Sequence, residues 1–403
     1  MYSYDTEVSE LAENVVSVNV GPSHPAMHGT LRVKLQLAGE KVLACEQEIG
    51  FLHTGFEKLG EHHSFNQFIT VTDRMNYLSP LNNNIGYALA VEELLGIEVP
   101  RRGQVIRTIL AEMSRIADHI FCVGLMTMDL GAFSSVLWTM IEREKLYDIF
   151  EATTGTRLTT SYTRVGGLAF DLPEGFEART RQIMDTCEQT LGQLRDSFVN
   201  NKIFLDRTQG VGVITKDQAL SFGLSGPVAR ASGVPLDQRA YRPYLVYPEL
   251  DFSVPLHEEG DCLARYLIRI DELEQSIAMV RQALKLLEPG PINHESAKRI
   301  LPSKDLVYRD MESLIHHFKV VMPGQDHGIH PPKAELYSST EAPNGELGFF
   351  LVSDGSHSAY RMRVRSPSFY NYQLLSHILP GHMVSDLVAI LGSMNVIAGE
   401  LDR

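Results

Sequence analysis

The segment Gly21-Pro-Ser-His-Pro-Ala-Met-His-Gly-Thr30 lies between two stretches that have the pattern of β-strands. Val15–Val20 before it is rich in β-branched apolar residues, and residues 31–37 after it alternate between apolar and polar side chains. This pattern predicts a β-hairpin whose connection is much longer than a tight turn requires. Because Pro22 and Pro25 restrict the backbone, the connection should be stiff.

Two imidazoles, those of His24 and His28, lie on this connection. A stiff loop that presents titratable groups beyond the edge of a sheet is suited to a functional site. The alternative is that both histidines only cap the backbone of their own loop.

The composition is that of a large globular protein. The chain has 403 residues, 44% of them apolar, and 36 basic against 50 acidic residues give a net charge of −14. One large domain or two interlocked domains are expected. The acidic balance argues against nucleic-acid binding, and it predicts that any membrane association runs through a protein partner. The N-terminus does not have the pattern of a signal peptide, and no apolar run has the length of a membrane span.

The cysteines are far apart in the sequence and form no C-x-x-C pair. They are Cys45, Cys122, Cys187 and Cys262. This spacing predicts neither a disulfide framework nor a thiolate metal site, and it is typical of a reducing compartment. Packing in the core is their expected role.

Helical periodicity predicts a bundle at the centre of the chain. The predicted helices cover residues 84–95, 101–130, 133–151, 173–200, 260–287 and 383–394. The second is the longest, and at about 1.5 Å per residue it should extend roughly 45 Å. Its apolar stripe leaves four charged residues on other faces, and these are Arg107, Glu112, Arg115 and Asp118.

The remaining segments are assigned less regular structure. Residues 46–55 are turn-rich, residues 56–68 predict one short helix with His62 and His63 at the surface, and residues 288–332 are loop-rich. Within the last segment, His327-Gly-Ile-His330 is interpreted as a surface loop rather than a metal site. Residues 210–215 resemble a nucleotide loop but lack its third glycine, which argues against dinucleotide binding.

Residues 345–354 and 360–364 predict a pair of strands near the C-terminus. Arg361, Arg363 and Arg365 share one face of the second strand. Since like charges repel, either a partner or internal carboxylates should face them.

Taken together, these patterns predict an α+β protein that is mainly α. We expect an N-terminal β element over residues 1–70, a central helix bundle over 71–287 and a β-containing C-terminal lobe over 288–403, interlocked as one domain.

Several motifs occur in an order that resembles the 49 kDa, or D, subunit family of respiratory complex I, the NADH:quinone oxidoreductase. They are G-P-S-H-P-A-M-H-G-T-L-R (residues 21–32), F-L-H-T-G-F-E-K-L (51–59), D-R-M-N-Y-L-S (73–79), A-L-A-V-E-E-L-L-G-I (88–97), L-V-S-D-G (351–355) and the terminal G-E-L-D-R. The resemblance spans essentially the whole chain.

That family is similar in turn to the large subunit of nickel-iron hydrogenases, which implies a hydrogenase-like fold. Hydrogenases hold their metal through R-x-C-x-x-C near the N-terminus and D-P-C-x-x-C at the C-terminus. In this chain the four cysteine positions are occupied by Asn76, Ser79, Ile397 and Glu400. Because a nickel-iron centre requires soft thiolates, the resemblance implies no metal and no other cofactor bound by this chain.

The resemblance implies a quinone headgroup in the vacated cavity. By that analogy Tyr77 and His28 bind and protonate the quinone, and Asp129 pairs with His28. His24 is either structural or a contact of the residues that bind the quinone. A phenol and an imidazole are suitable proton donors for a reaction that consumes two electrons and two protons. The plainer alternatives are that Tyr77 is an ordinary half-buried tyrosine and that Asp129 only ends its helix.

The implied assembly supplies the remaining chemistry. Electrons would come from a [4Fe-4S] cluster in an iron–sulfur subunit, and FMN and NADH would bind elsewhere in the complex. A 30 kDa-type subunit and a membrane subunit at the quinone entry are the other implied partners. The implied location is the cytoplasmic side of a bacterial inner membrane, as a peripheral part of a proton-translocating enzyme.

Three rivals remain: a membrane-bound nickel-iron hydrogenase subunit, a related quinone reductase with a donor other than NADH, and a scaffold that has lost its site. The chain also departs from the family pattern at Thr54, where many relatives have arginine, at Asn395, where aspartate is usual, and at Leu401, where isoleucine or valine is common.

Overall fold

The computed structural model describes residues 10–12, 15–295, 301–302, 304–322 and 327–403. The strands are β1 (Glu10–Ala12), β2 (Val15–Val20), β3 (Arg32–Ala38), β4 (Lys41–Glu48), β5 (Thr163–Arg164), β6 (Gly167–Leu168), β7 (Ala334–Ala342), β8 (Gly345–Ser353) and β9 (Arg361–Arg365). The helices are α1 (Phe56–His62), α2 (Phe65–Phe68), α3 (Pro80–Leu95), α4 (Arg101–Asp129), α5 (Phe133–Thr154), α6 (Phe176–Phe198), α7 (Lys202–Thr208), α8 (Lys216–Ser221), α9 (Gly226–Arg230), α10 (Gln238–Tyr241), α11 (Cys262–Ala283), α12 (Lys304–Arg309), α13 (Met311–Val321), α14 (Pro367–Gln373), α15 (Leu375–Ile378), α16 (Asp386–Met394) and α17 (Ala398–Leu401). Short 3-10 turns cover Pro25–Met27, Ile69–Arg74 and Tyr247–Glu249. The fold is mixed α/β and mostly helical, with small antiparallel sheets, as the sequence predicts.

The predicted N-terminal hairpin is present. β2 pairs with β3 in antiparallel register, from Val15 opposite Ala38 to Val20 opposite Val33. It is part of a sheet with the order β1-β2-β3-β4. Our assignment of residues 46–48 to turns is wrong, because β4 continues to Glu48. A two-residue turn at Gly39, whose φ is +62°, places β4 beside β3 and pairs their backbones.

The central bundle is formed by α4, α5, α6 and α11, with α16 packed against α4 and α11. Each predicted helix is found, and most ends differ by only a few residues. α3 begins at Pro80 rather than residue 84, since proline is well tolerated in the first turn of a helix.

The short segments differ more from the prediction. Residues 56–68 form two helices instead of one, because Ser64 starts α2 with a capping box in which its hydroxyl accepts the Gln67 N–H. The loop-rich assignment of residues 288–332 is wrong over α12 and α13. Asp310 caps α13 by accepting the Ser313 N–H at 2.8 Å, and this cap is a signal that the sequence offers.

The C-terminal sheet has the order β7-β8-β9. The β8–β9 pair agrees with the prediction, whereas β7 is an additional strand. The sheet packs on α3, where the rings of Tyr87 and Phe349 meet edge to face with centroids 5.5 Å apart.

The charged residues of α4 are fully buried. Arg107, Glu112, Arg115 and Asp118 are each 0% exposed. The apolar stripe does not predict this, because α4 is covered by other elements on all of its faces. Two of these charges are compensated by ions from other elements, Arg107 by Glu92 at 2.6 Å and Glu112 by Arg239 at 3.2 Å.

Internal carboxylates meet two of the three arginines on β9. Arg361 lies 2.9 Å from Glu61, and Arg365 lies 3.3 Å from Glu346. Cys45 is half-buried, and the other three cysteines are buried, with no disulfide. Among the helices described, none is long and apolar enough to cross a membrane.

Candidate functional site

The loop between β2 and β3 carries His28 to the end of α4. A 3-10 turn buries Met27, and His28 follows it in a left-handed conformation with φ of 51°. This turn directs the His28 ring inward, and its Nε2 lies 2.8 Å from Oδ2 of Asp129, the last residue of α4. The two side chains are only 18% and 9% exposed. The structure therefore brings together the imidazole and the carboxylate that the family resemblance implies.

A glycine on α16 leaves room for this pair. A Cβ atom at Gly392 would lie 3.2 Å from Asp129 Oδ2 and 3.6 Å from His28 Cε1. The backbone of α16 thus forms one wall against the imidazole and the carboxylate, and no side chain separates them from the helix.

His24 has a different place. It is exposed, and its Nδ1 accepts the Ala26 N–H at 3.2 Å, which caps the 3-10 turn. This is the plain capping geometry that the sequence leaves open for both histidines, and here it applies to His24.

Tyr77 lies on the segment that follows the second 3-10 turn, and it is half-buried. Burial raises the pKa of its phenol, and the carboxylates of Asp118 and Glu400 raise it further, while a hydrogen bond from the Ala398 backbone acts in the opposite direction. The phenol therefore keeps its proton at neutral pH and is available as a donor.

The C-terminal segment connects Tyr77 to the His28 loop. Ala398, whose backbone contacts Tyr77, also faces Gly29, since a Cβ at Gly29 would lie 3.2 Å from the Ala398 Cβ. The three predicted site residues are thus arranged around the segment that runs from α16 to α17.

The four positions that the resemblance compares with hydrogenase cysteines are all buried, and two of them are in direct contact. The Asn76 amide Nδ2 donates to Glu400 Oε2 at 2.9 Å, and the Asn76 Oδ1 accepts the N–H groups of Leu78 and Ser79 at 3.2 Å. This donor set does not fit a nickel-iron centre, because it contains no thiolate. Nor is there, in the described part of the chain, a cluster of three His, Cys, Asp or Glu side chains arranged for a metal.

Glu400, which lies near Tyr77, has a raised pKa. It is 2% exposed, and burial together with the charge of Asp118 raises its pKa to about 7, although hydrogen bonds from Ser368 and Asn76 act against this. A carboxyl in this state exchanges a proton near neutral pH.

Sequence reasoning missed the role of Asp402. Its carboxylate accepts the N–H groups of Gly50 and Leu52, each at 2.8 Å, and the His53 ring lies 2.6 Å from its carbonyl oxygen. The terminal G-E-L-D-R motif therefore holds the F-L-H-T-G loop in place. Both motifs are visible in the sequence, but their contact cannot be read from either one.

A second buried network lies deeper in the bundle. Arg230 contacts Glu272 at 2.6 Å and Glu341 at 2.8 Å, and the His119 ring lies 2.8 Å from Glu272. These groups are essentially inaccessible to solvent. Here cations face the buried carboxylates, whereas the acids near Tyr77 have no ion pair in the described part of the chain.

The ring of His330 contacts backbone carbonyl groups. Its two nitrogens lie 3.1 Å from the carbonyl oxygens of Gly355 and His327. These contacts link the His327–His330 turn to the loop after β8.

Comparison with known proteins identifies the family. The family model described as respiratory-chain NADH dehydrogenase, 49 Kd subunit, matches residues 129–403. The NADH-quinone oxidoreductase D subunit of Methylacidiphilum infernorum is 48% identical over 386 residues, which cover 96% of this chain and 91% of that protein. The corresponding D subunits of Akkermansia muciniphila and Geotalea uraniireducens are 46% and 44% identical, over 99% and 96% of this chain and 96% and 99% of their own lengths. The family model starts at Asp129, but the relatives also cover most of the part that contains His28 and Tyr77. This chain belongs to the 49 kDa, or D, subunit family of NADH-quinone oxidoreductase.

Proposed function

We propose that this subunit forms the chamber in which a proton-translocating NADH:quinone oxidoreductase reduces quinone. The observation that carries the proposal is the contact of 2.8 Å between His28 and Asp129. The loop that contains His28 also packs against Ala398, whose backbone contacts Tyr77. Tyr77 and His28 are two potential proton donors that both lie beside the Ala398 segment. A quinone headgroup requires a donor at each of its two carbonyl oxygens.

The chemistry assigned to this chain is proton transfer. When the quinone accepts two electrons from the iron–sulfur subunit, its oxygens become basic. The Tyr77 O–H then breaks as one quinol O–H forms, and the His28 ring N–H supplies the second proton. Asp129 contacts the other side of the ring at Nε2 and fixes its orientation.

The surface beside the site has the character of a binding surface for another protein. The first turns of α5, which follow Asp129 closely, expose large apolar side chains. They are Phe133 (63%), Leu137 (52%), Trp138 (38%) and Ile141 (56%). A contiguous apolar patch of this kind is typical of an interface. We assign it to the partners of the peripheral arm, which are the iron–sulfur subunit with the [4Fe-4S] cluster and the membrane subunit at the quinone entry, with the 30 kDa-type subunit elsewhere.

The remaining details of the proposal follow the family. FMN and NADH bind in other subunits, the hydrogenase-like fold has lost its metal ligands, and the complex lies on the cytoplasmic side of the inner membrane. The metalloenzyme alternative is disfavoured by ligand chemistry, since Asn76 and Glu400 bind each other.

A structure of the assembled complex with a bound quinone analogue tests the proposal. The expected result is density for the ring within hydrogen-bonding distance of the Tyr77 hydroxyl and the His28 imidazole. Density for the ring far from both groups would refute it.

A further inference from the structure

Glu400 lies where the C-terminus packs tightly against the segment of Tyr77. It is on α17, and a Cβ atom at the preceding Gly399 would approach the carbonyl oxygens of Arg74 and Met75 to 2.8 and 3.0 Å. Only glycine allows the two backbones to come this close. The Glu400 side chain is consequently sealed from solvent and is 2% exposed.

Both carboxyl oxygens of Glu400 are bound by neutral donors. Oε2 accepts from the Asn76 amide at 2.9 Å, and Oε1 accepts the backbone N–H of Ser368 at 3.0 Å. Within the described ranges, Glu400 has no ion pair with lysine, arginine or histidine. Buried Glu272, by contrast, has both Arg230 and His119 against it. An ionised, unpaired carboxylate is costly at such a site, so the neutral acid is favoured.

The other charged groups around Glu400 strengthen this preference. Asp118 on α4 is fully buried and has no ion pair in the described part of the chain; the Asn395 amide binds one of its oxygens at 2.8 Å, and the other has no hydrogen bond. Arg403 is the nearby cation, but it is directed away, with its Nε donating to the Val364 carbonyl and its guanidinium stacked on Phe369 at 4.3 Å. Two neighbouring buried acids do not both ionise readily, so one retains a proton.

We propose that Glu400 is a positioning residue of the quinone site, which holds a proton in the resting enzyme so that the Tyr77 phenol faces a neutral acid. This inference rests on the proposed quinone-reducing function. When Tyr77 transfers its proton to a quinone oxygen, its O–H bond breaks and a phenolate remains. A neutral Glu400 leaves that phenolate without a second adjacent negative charge, whereas ionised Glu400 repels it and slows the transfer.

The pH dependence of quinone reduction by the assembled complex tests this role. The wild-type rate should fall as the pH rises through about 7, where Glu400 loses its proton. Glu400→Gln keeps a neutral group of the same shape, so this inflection should disappear from its profile. Glu335→Gln, at an exposed position on β7, is the matched control and should keep the wild-type profile. Persistence of the inflection in Glu400→Gln overturns the proposal.

Infrared difference spectroscopy gives a second readout that does not require quinone. The complex should show the carbonyl stretch of a protonated buried carboxyl, which disappears with rising pH and is missing in Glu400→Gln. If that variant fails to assemble, Glu400→Asp, which keeps the acid, should shift the band. A wild-type complex without a band that titrates near neutral pH contradicts the assignment.

The two experiments separate the two proposals. If the band is present but quinone lies far from Tyr77, the quinone function fails and the protonated state of Glu400 stands. If quinone binds at Tyr77 but the band is absent, only the role of Glu400 is overturned.

Discussion

His28 Nε2 lies 2.8 Å from Asp129 Oδ2, although one residue belongs to an N-terminal loop and the other ends the longest helix. The contact is largely shielded from solvent. It ties the loop between β2 and β3 to the helix bundle.

Substitution of this pair should reduce turnover without loss of assembly. Asp129→Asn keeps the shape but removes the carboxylate that holds the imidazole in place, and we expect quinone reduction to fall by about 10- to 100-fold. His28→Ala should have an effect of similar size, and the double variant should be little worse than either single variant, because both act through one contact.

Rates of quinone reduction and native gels of the assembled complex check this. Asp217→Asn, at an exposed position in the first turn of α8, is the control and should behave like the wild type. Loss of the complex on native gels for His28→Ala would show that the loop is mainly structural.

Gly392→Ala should separate stability from activity. The new Cβ would lie 3.2 Å from Asp129 Oδ2, which is tight enough to displace the carboxylate by a few tenths of an ångström. Alanine in a helix is favoured over glycine by about 1 kcal/mol, which offsets much of the strain. We therefore expect lower turnover with little change in the unfolding temperature of the complex.

Gly192→Ala on α6 is the matched control. A Cβ at Gly192 meets nothing within 4 Å, so this variant gains the same helix propensity without touching the site. It should keep full turnover. Equal turnover in both alanine variants would argue that the position of Asp129 is not important.

Tyr77→Phe removes the proposed phenol donor. Because the site is half-buried and the phenyl ring still fills the space, folding should be kept while quinone reduction falls by about 100-fold and the KM for quinone rises. Steady-state kinetics with a soluble quinone analogue measure both quantities. Tyr360→Phe, at a tyrosine that is 70% exposed, is the control. Unchanged kinetics in Tyr77→Phe would favour a scaffold that has lost its site.

The deep ion network should control stability in acid. Although burial opposes ionisation of Glu272, Arg230 and His119 lower the pKa of its carboxyl well below the usual range. A carboxyl with a lowered pKa stabilises the folded state above the pKa of the unfolded chain, and this stability is lost as the pH falls toward the folded pKa.

Glu272→Gln tests that network. It leaves Arg230 with less compensation in a site that water cannot enter, and we expect a loss of about 3–5 kcal/mol. Denaturant unfolding at neutral and acidic pH measures it, and the difference between wild type and variant should shrink in acid. A difference that is independent of pH would mean that Glu272 acts through shape alone.

Much of the local structure could be predicted from the sequence. The alternation of residues 31–37 predicts β3, and the apolar periodicity of α4 predicts its length, because both depend on neighbours within one element. The prediction missed α13 and β7. The apolar residues of α13 are interrupted by the pair His316-His317, and β7 carries polar residues such as Ser338 and Ser339 on both of its faces. For α13 the Asp310 cap is the local signal that marks the start of the helix.

Burial of charge could not be predicted in the same way. Arg107 and Glu112 lie off the apolar stripe of α4, which is typical of a solvated face, yet both are inaccessible. Their partners, Glu92 and Arg239, come from other helices and from a loop-rich region. A periodic pattern reports only what one helix prefers, and not which other elements cover it.

The sequence by itself determined the secondary structure of the hairpin and the long helices, the absence of thiolates at the hydrogenase positions, and the family. The tertiary structure alone decided that His28 meets Asp129 and that Asn76 meets Glu400. These partners are 101 and 324 residues apart along the chain. Their contact, and the low dielectric that changes the pKa of Glu400, therefore exist only after the elements have packed.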